Sequence, residues 1–114
     1  GQLIGIIDRN NIQISGTTDQ VMPLENLRSK WEGFGWHVQE VDGHNVESIV
    51  EACSMARAIT NRPSVIISHT VPGKGVDFME YDYRWHGKAP SQQEAVRALE
   101  QLQSYSGYIE TDHV

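Results

Sequence analysis

An α/β fold with a mostly parallel sheet follows from three observations. Residues 3–7 and 65–67 are short apolar runs, rich in isoleucine and valine and without polar alternation. Such runs mark strands buried on both faces. Segments with helical periodicity separate and follow them. The resulting order, β-loop-α-β-α-β-loop-α, is that of parallel strands joined by helical crossovers, with helices flanking the sheet in three layers.

The first strand breaks into Asp8-Arg9-Asn10-Asn11, a cluster of turn-forming residues. In open α/β sheets, ligands bind beyond the carboxyl ends of the strands. A polar loop with a carboxamide there is a candidate ligand site, although a solvated Asx turn accounts for the same residues. Ile12-Gln13-Ile14 forms a short apolar-polar stretch closed by Gly16, and residues 17–22 read as a polar loop. Pro23 suits the first position of a helix, in which Leu24, Leu27, Trp31 and Phe34 share one face. Gly35 is the expected left-handed cap. A short strand over 36–41 puts Trp36, Val38 and Glu40 on one side, and Asp42-Gly43 turns the chain.

Asn45 is the expected N-cap of the next helix. Its apolar stripe is Val46, Ile49, Val50, Cys53, Ala56 and Ile59, and Asn61-Arg62-Pro63 stops it. Residues 64–69 form another buried strand. Residues 70–90 then hold no obvious element. A loop of that length in a compact domain tends to be functional. Ser91-Gln92-Gln93-Glu94 is a capping box. It opens a final helix expected to turn Ala95, Val96, Leu99 and Leu102 inward, followed by a polar tail over 104–114.

The chain has 114 residues, enough for one small domain or part of a larger one. A net charge of −6 and the lack of a Lys/Arg stripe argue against nucleic acid as a partner. No apolar stretch approaches the roughly 18 residues needed to span a bilayer. The single cysteine, Cys53, excludes an internal disulfide and suits a reducing cytosol. Because residue 3 already enters a buried strand, polypeptide is expected to be missing upstream. Leu3 to Ile7 and Val65 to Ile67 should then leave an exposed apolar patch.

The histidines at 37, 44, 69, 86 and 113 match no zinc-ligand spacing. His69 ends a strand, and His44 sits beside a turn. His86, between Trp85 and Gly87 in the long loop, could meet a phosphate or a substrate hydroxyl, or pack on Trp85. Gly73-Lys74-Gly75 lacks the spacing of a Walker motif, and its glycines suit close backbone approach instead.

Four motifs occur in order: Asp8-Arg9-Asn10-Asn11-Ile12-Gln13-Ile14-Ser15-Gly16, Gly35-Trp36-His37-Val38 with Val41-Asp42-Gly43-His44, Thr70-Val71-Pro72-Gly73-Lys74-Gly75-Val76, and Trp85-His86-Gly87-Lys88-Ala89-Pro90. Together they resemble the thiamine-diphosphate-binding N-terminal domain of transketolases, over residues 3 to about 103. The part resembled is the C-terminal half of that domain, in its bacterial N-terminal-subunit form.

The resemblance implies the thiamine-diphosphate-binding fold, here incomplete. It implies transfer of a two-carbon ketol unit between sugar phosphates, with thiamine diphosphate and Mg²⁺ or Ca²⁺ as cofactors. The metal ligands would be the Asn10 side chain and the Ile12 carbonyl. Ile14 would prop the bent cofactor. His86 would contact diphosphate and substrate and act in catalysis, and Lys88 would lie at the substrate. The family's G-D-G aspartate has no counterpart in these residues, nor does the glutamate of the pyrimidine-binding domain. Pro72 stands where many relatives carry a cofactor-contacting lysine. The implied setting is a cytoplasmic homo-oligomer needing transketolase C-terminal domains or a C-terminal subunit, with the isolated chain inactive. The alternative is a non-catalytic α/β module that docks on a partner.

Overall fold

The computed structural model describes residues 3–112, with side chains through residue 103. Two compact units make up the chain. One holds residues 1–11 and 22–70, the other residues 12–21 and 71–114.

The first unit is built on a three-stranded parallel sheet of β1 (Ile4–Arg9), β5 (Ser64–His69) and β4 (His37–Asp42), in the order β1-β5-β4. Residues Ile7, Ile67 and Glu40 share one register row, and Arg9, His69 and Asp42 share the last. Side chains alternate between the faces. Val38, Val65 and Ile67 pack on one side with Ile7, Trp36, and Leu27 and Trp31 of α2 (Leu27–Gly33). Ile66 packs on the other with Ala52, Ala56 and Cys53 of α3 (Val46–Ala58), beside Ile4 and Val41. The unit is thus helix, sheet, helix, as the apolar runs and intervening helices predicted.

Local sequence sets several boundaries. Asn26 is extended and stands at the N-cap position without a side-chain capping bond, and the helix starts at Leu27 rather than at Pro23. Phe34 ends it and is 85% exposed, not part of the inward face. Gly35 has φ 85°, as its position after the helix predicted. Asn45 caps α3 by accepting from the Ser48 N–H at 3.1 Å. Ala56 is buried and Cys53 packs in the core as expected, but the helix is turned so that Ala52 is buried too, whereas Val46 and Val50 are 74% and 59% exposed. Small side chains let the helix approach Ile66 closely, and Gln39 Nε2 donates to the Ala52 carbonyl at 2.9 Å. Leu3 and Ile6 are exposed, but Val65, Ile66 and Ile67 are fully buried, so the expected apolar patch does not extend to β5.

In the second unit, β2 (Ile12–Gln13) and β3 (Gly16–Thr17) form a short antiparallel ladder. The expected loop that follows contains a single turn, α1 (Thr18–Val21). The stretch over 70–90 holds successive turns and a 3-10 turn at Tyr83–Trp85. Helix α4 (Gln92–Asp112) opens on the predicted capping box. Ser91 N–H donates to Glu94 Oε1 at 2.9 Å, and Glu94 N–H to Ser91 Oγ at 3.2 Å. Ala98 is its buried residue among those described, and Val96, Leu99 and Leu102 are exposed, contrary to expectation. The helix also runs through residues read as a polar tail, as far as Asp112.

Candidate functional site

The carboxyl ends of the strands carry the first group of candidate residues. Asp8 accepts a hydrogen bond from the Thr70 hydroxyl, joining the end of β1 to the residue after β5. Gly43, in the turn after β4, donates its N–H to the His69 carbonyl at 2.7 Å. A Cβ at Gly43 would lie 2.3 Å from Ser68 Oγ and 2.4 Å from Thr70 Cγ2, so a side chain there would force these strand ends apart. His69 Nε2 lies 3.0 Å from Glu40 Oε1, and Arg28 donates to Glu40 Oε2 at 3.0 Å. These partners hold the Glu40 carboxyl below its usual range, the His69 hydrogen bond most strongly.

Asn10 follows the last residue of β1 and is half-buried. Asn11 then takes φ 61°, a left-handed conformation that asparagine tolerates better than most residues. Beside them, Arg9 is only 7% exposed. Its Nε donates to Asn11 Oδ1 at 2.9 Å and its second terminal nitrogen to Glu25 Oε1 at 2.8 Å. Reading the sequence did not single out Arg9. The available signal was a charged residue continuing a strand that is otherwise apolar on that face, Gly5-Ile7-Arg9.

The remaining candidates belong to the second unit. Ile12 pairs with Thr17 across the β2–β3 ladder, and Ile14 at its turn is 72% exposed. In the long loop, a Cβ at Gly73 would lie 2.6 Å from the Met79 carbonyl carbon, so this glycine permits close backbone approach, as expected. Trp85 Nε1 donates to the Phe78 carbonyl at 2.9 Å, and the two rings lie 5.6 Å apart.

A cleft of about 340 Å³ is lined by Phe78, Asp82, Arg84, Trp85, Lys88, Glu94 and Arg97. Lys88 Nζ sits 4.3 Å from the Trp85 ring centre, and the Arg97 guanidinium 5.2 Å from that of Phe78. Arg84 pairs with Asp82 at 2.7 Å and pushes its carboxyl down to about 2. His86 is exposed, with its backbone N–H on the Tyr83 carbonyl at 3.0 Å. The cation on the Trp85 ring is thus Lys88.

A carboxamide oxygen such as that of Asn10 is of the hard type that Mg²⁺ and Ca²⁺ take, and so is a backbone carbonyl such as that of Ile12. The charge of Arg9, the residue before Asn10, is paired with Glu25.

Comparison with known proteins bears out the family resemblance. The family described as "Transketolase, thiamine diphosphate binding domain" matches residues 1–109. The chain is 41% identical over 100 residues to an apulose-4-phosphate transketolase subunit of Phocaeicola vulgatus, covering 88% of this chain and 36% of that protein. It is 47% identical over 78 residues to the 6-deoxy-6-sulfo-D-fructose transketolase subunit SqwG of a Clostridium species, covering 68% of this chain and 28% of that protein. Among solved structures, transketolase from Campylobacter jejuni superimposes with a TM-score of 0.76 at 32% identity, covering 87% of this chain and 15% of that one. The chain therefore spans about a third of the length of the subunit-type relatives it matches. With the family match extending over nearly every residue, and a parallel helix-sheet-helix unit like that of a solved transketolase, this chain belongs to the transketolase family and matches its thiamine-diphosphate-binding domain.

Proposed function

We propose that this chain forms part of a transketolase that moves a two-carbon ketol unit between sugar phosphates, using thiamine diphosphate and a divalent metal ion. The observation that supports this best is the end of β1. There the edge strand β1 stops at Arg9, its one buried residue, and Asn10 follows at the carboxyl end, where α/β sheets bind ligands. In this reading Asn10 gives its side-chain oxygen and Ile12 its carbonyl to the ion, which would be Mg²⁺ or Ca²⁺. When bound, thiamine diphosphate supplies the electron sink for cleaving and remaking the bond beside a ketose carbonyl.

The chain's own residues bind and orient. Ile14 offers an exposed apolar side chain to the cofactor. His86 presents an exposed imidazole that donates to a diphosphate or substrate oxygen, and Lys88 adds positive charge for a sugar phosphate. The partner is the rest of a transketolase, as C-terminal domains or a separate subunit, within a homo-oligomer in the cytoplasm. Alone, the 114 residues hold the cofactor weakly and do not turn over, because Asn10 and Ile12 bring no carboxylate to the ion. Mg²⁺ sites usually rely on one or two.

Ketol transfer by the complete enzyme tests this reading. Activity should require added thiamine diphosphate and Mg²⁺, and Asn10→Ala should lose it at limiting cofactor and regain part of it at excess. Undiminished turnover of Asn10→Ala at limiting cofactor would remove Asn10 from the site.

A further inference from the structure

We propose that Arg9 is the positioning residue of the metal-binding loop. Its side chain fixes the turn that presents Asn10, without itself touching the ion. The inference rests on the reading of Asn10 as a ligand.

Three observations, all within the first unit, carry it. The Arg9 guanidinium bridges two partners that are distant from each other in sequence. Nε donates to Asn11 Oδ1 at 2.9 Å, and a terminal nitrogen to Glu25 Oε1 at 2.8 Å. A planar guanidinium has donors in a fixed fork, so two such bonds hold both acceptors in one geometry. The acceptor on the loop side, Asn11, is the residue with φ 61°, immediately after Asn10. The bond therefore fixes the side chain of the residue that makes the left-handed turn, directly after Asn10.

Burial gives the third observation. Arg9 is 7% exposed, and its other terminal nitrogen is buried with no hydrogen-bond partner among the described residues. Burying a cation with a donor unsatisfied is costly. A leucine or methionine would pack against the same sheet face without that cost. The cation is accounted for if its bonds to Asn11 and Glu25 serve the loop rather than the core. Glu25 offsets its charge, so a second cation can bind nearby.

The test uses the full-length enzyme with thiamine diphosphate, reading Mn²⁺ binding by electron paramagnetic resonance and folding by thermal melts. Groups that orient metal ligands typically contribute about 10- to 100-fold in affinity. Arg9→Ala should therefore raise the half-saturating Mn²⁺ about 10-fold or more. Arg9→Lys keeps the charge but cannot bridge both partners, so it should recover only part of that loss. Asn11→Gly tolerates the left-handed turn and removes only the acceptor, leaving the buried cation in place. It should weaken Mn²⁺ binding in the same direction in a protein that still melts cooperatively, and it decides the matter if Arg9→Ala does not fold. Leu27→Ala, which loosens α2 on the same face, should lower the melting temperature without moving Mn²⁺ affinity.

Parent-like Mn²⁺ binding in Asn11→Gly and in a folded Arg9→Ala would overturn the inference. Asn10→Ala, measured alongside, separates the two claims. If it weakens Mn²⁺ binding while the Arg9 and Asn11 variants do not, the positioning role alone fails. If it too is without effect, the ligand reading fails.

Discussion

Trp85 donates its indole N–H to the Phe78 carbonyl at 2.9 Å, tying together two points of a loop otherwise poor in regular structure. The two rings lie 5.6 Å apart, and Lys88 and Arg97 each cover one of them. This cluster gives the stretch before α4 a small packed centre of its own.

Trp85→Phe keeps an aromatic ring but removes the donor. A net neutral hydrogen bond contributes about 1 kcal/mol. The variant should lose about that much local stability, read as faster amide hydrogen exchange over residues 78–88. Unchanged exchange there would show that the indole bond does not hold the loop.

Asp82 should titrate with a midpoint near 2, because Arg84 bonds its carboxylate through both side chain and backbone N–H. The folded pKa lies below the ordinary value of 3.8. The contribution is therefore fully present above about pH 4 and is lost as pH falls toward 2. Carbon-detected NMR titration checks the midpoint. In Arg84→Ala, it should return toward 3.8.

Ala56→Leu should destabilise the first unit by about 1–3 kcal/mol, since overpacking a filled interior strains its neighbours. Ala56 is buried against Ile66. Val50→Ala, at an exposed position of the same helix, should stay within about 0.5 kcal/mol of the parent. Urea denaturation of both variants measures the contrast.

That contrast also marks how far the sequence could be read. Residues 64–69, the Asn45 cap and the Ser91–Glu94 capping box were legible because each depends on local chemistry alone. The strand is an unbroken apolar run, and the caps are side-chain oxygens at fixed spacing. The rotation of α3 was not legible. Val46 and Val50 are more hydrophobic than Ala52, yet the helix turns Ala52 inward beside Ala56 because small side chains allow close approach to Ile66. The same held for α4, where Ala98 faces in and Leu99 faces out. At the candidate site, the Asn10 loop and His86 stood out from the residues themselves, and Ile12, Ile14 and Lys88 were reached through motif resemblance. Arg9 was not, because its significance lies in a bond to Glu25, sixteen residues away.

His86→Ala in the complete enzyme should lower turnover by about 10²–10³-fold, the usual loss on removing a preorganised donor to developing negative charge. Excess cofactor should not restore it. Steady-state kinetics at saturating thiamine diphosphate make the check, and unchanged turnover and KM would leave His86 as an exposed loop histidine.

In the proposed site, a divalent ion bound by Asn10 holds the cofactor's diphosphate. Calorimetric titration of thiamine diphosphate into the full-length protein, with Mg²⁺ and then with chelator, tests it most directly. Clear binding is expected with Mg²⁺, with its loss in chelator and at least about tenfold weaker binding by Asn10→Ala. Equal affinity with and without the metal, or an Asn10→Ala isotherm matching the parent, would contradict it.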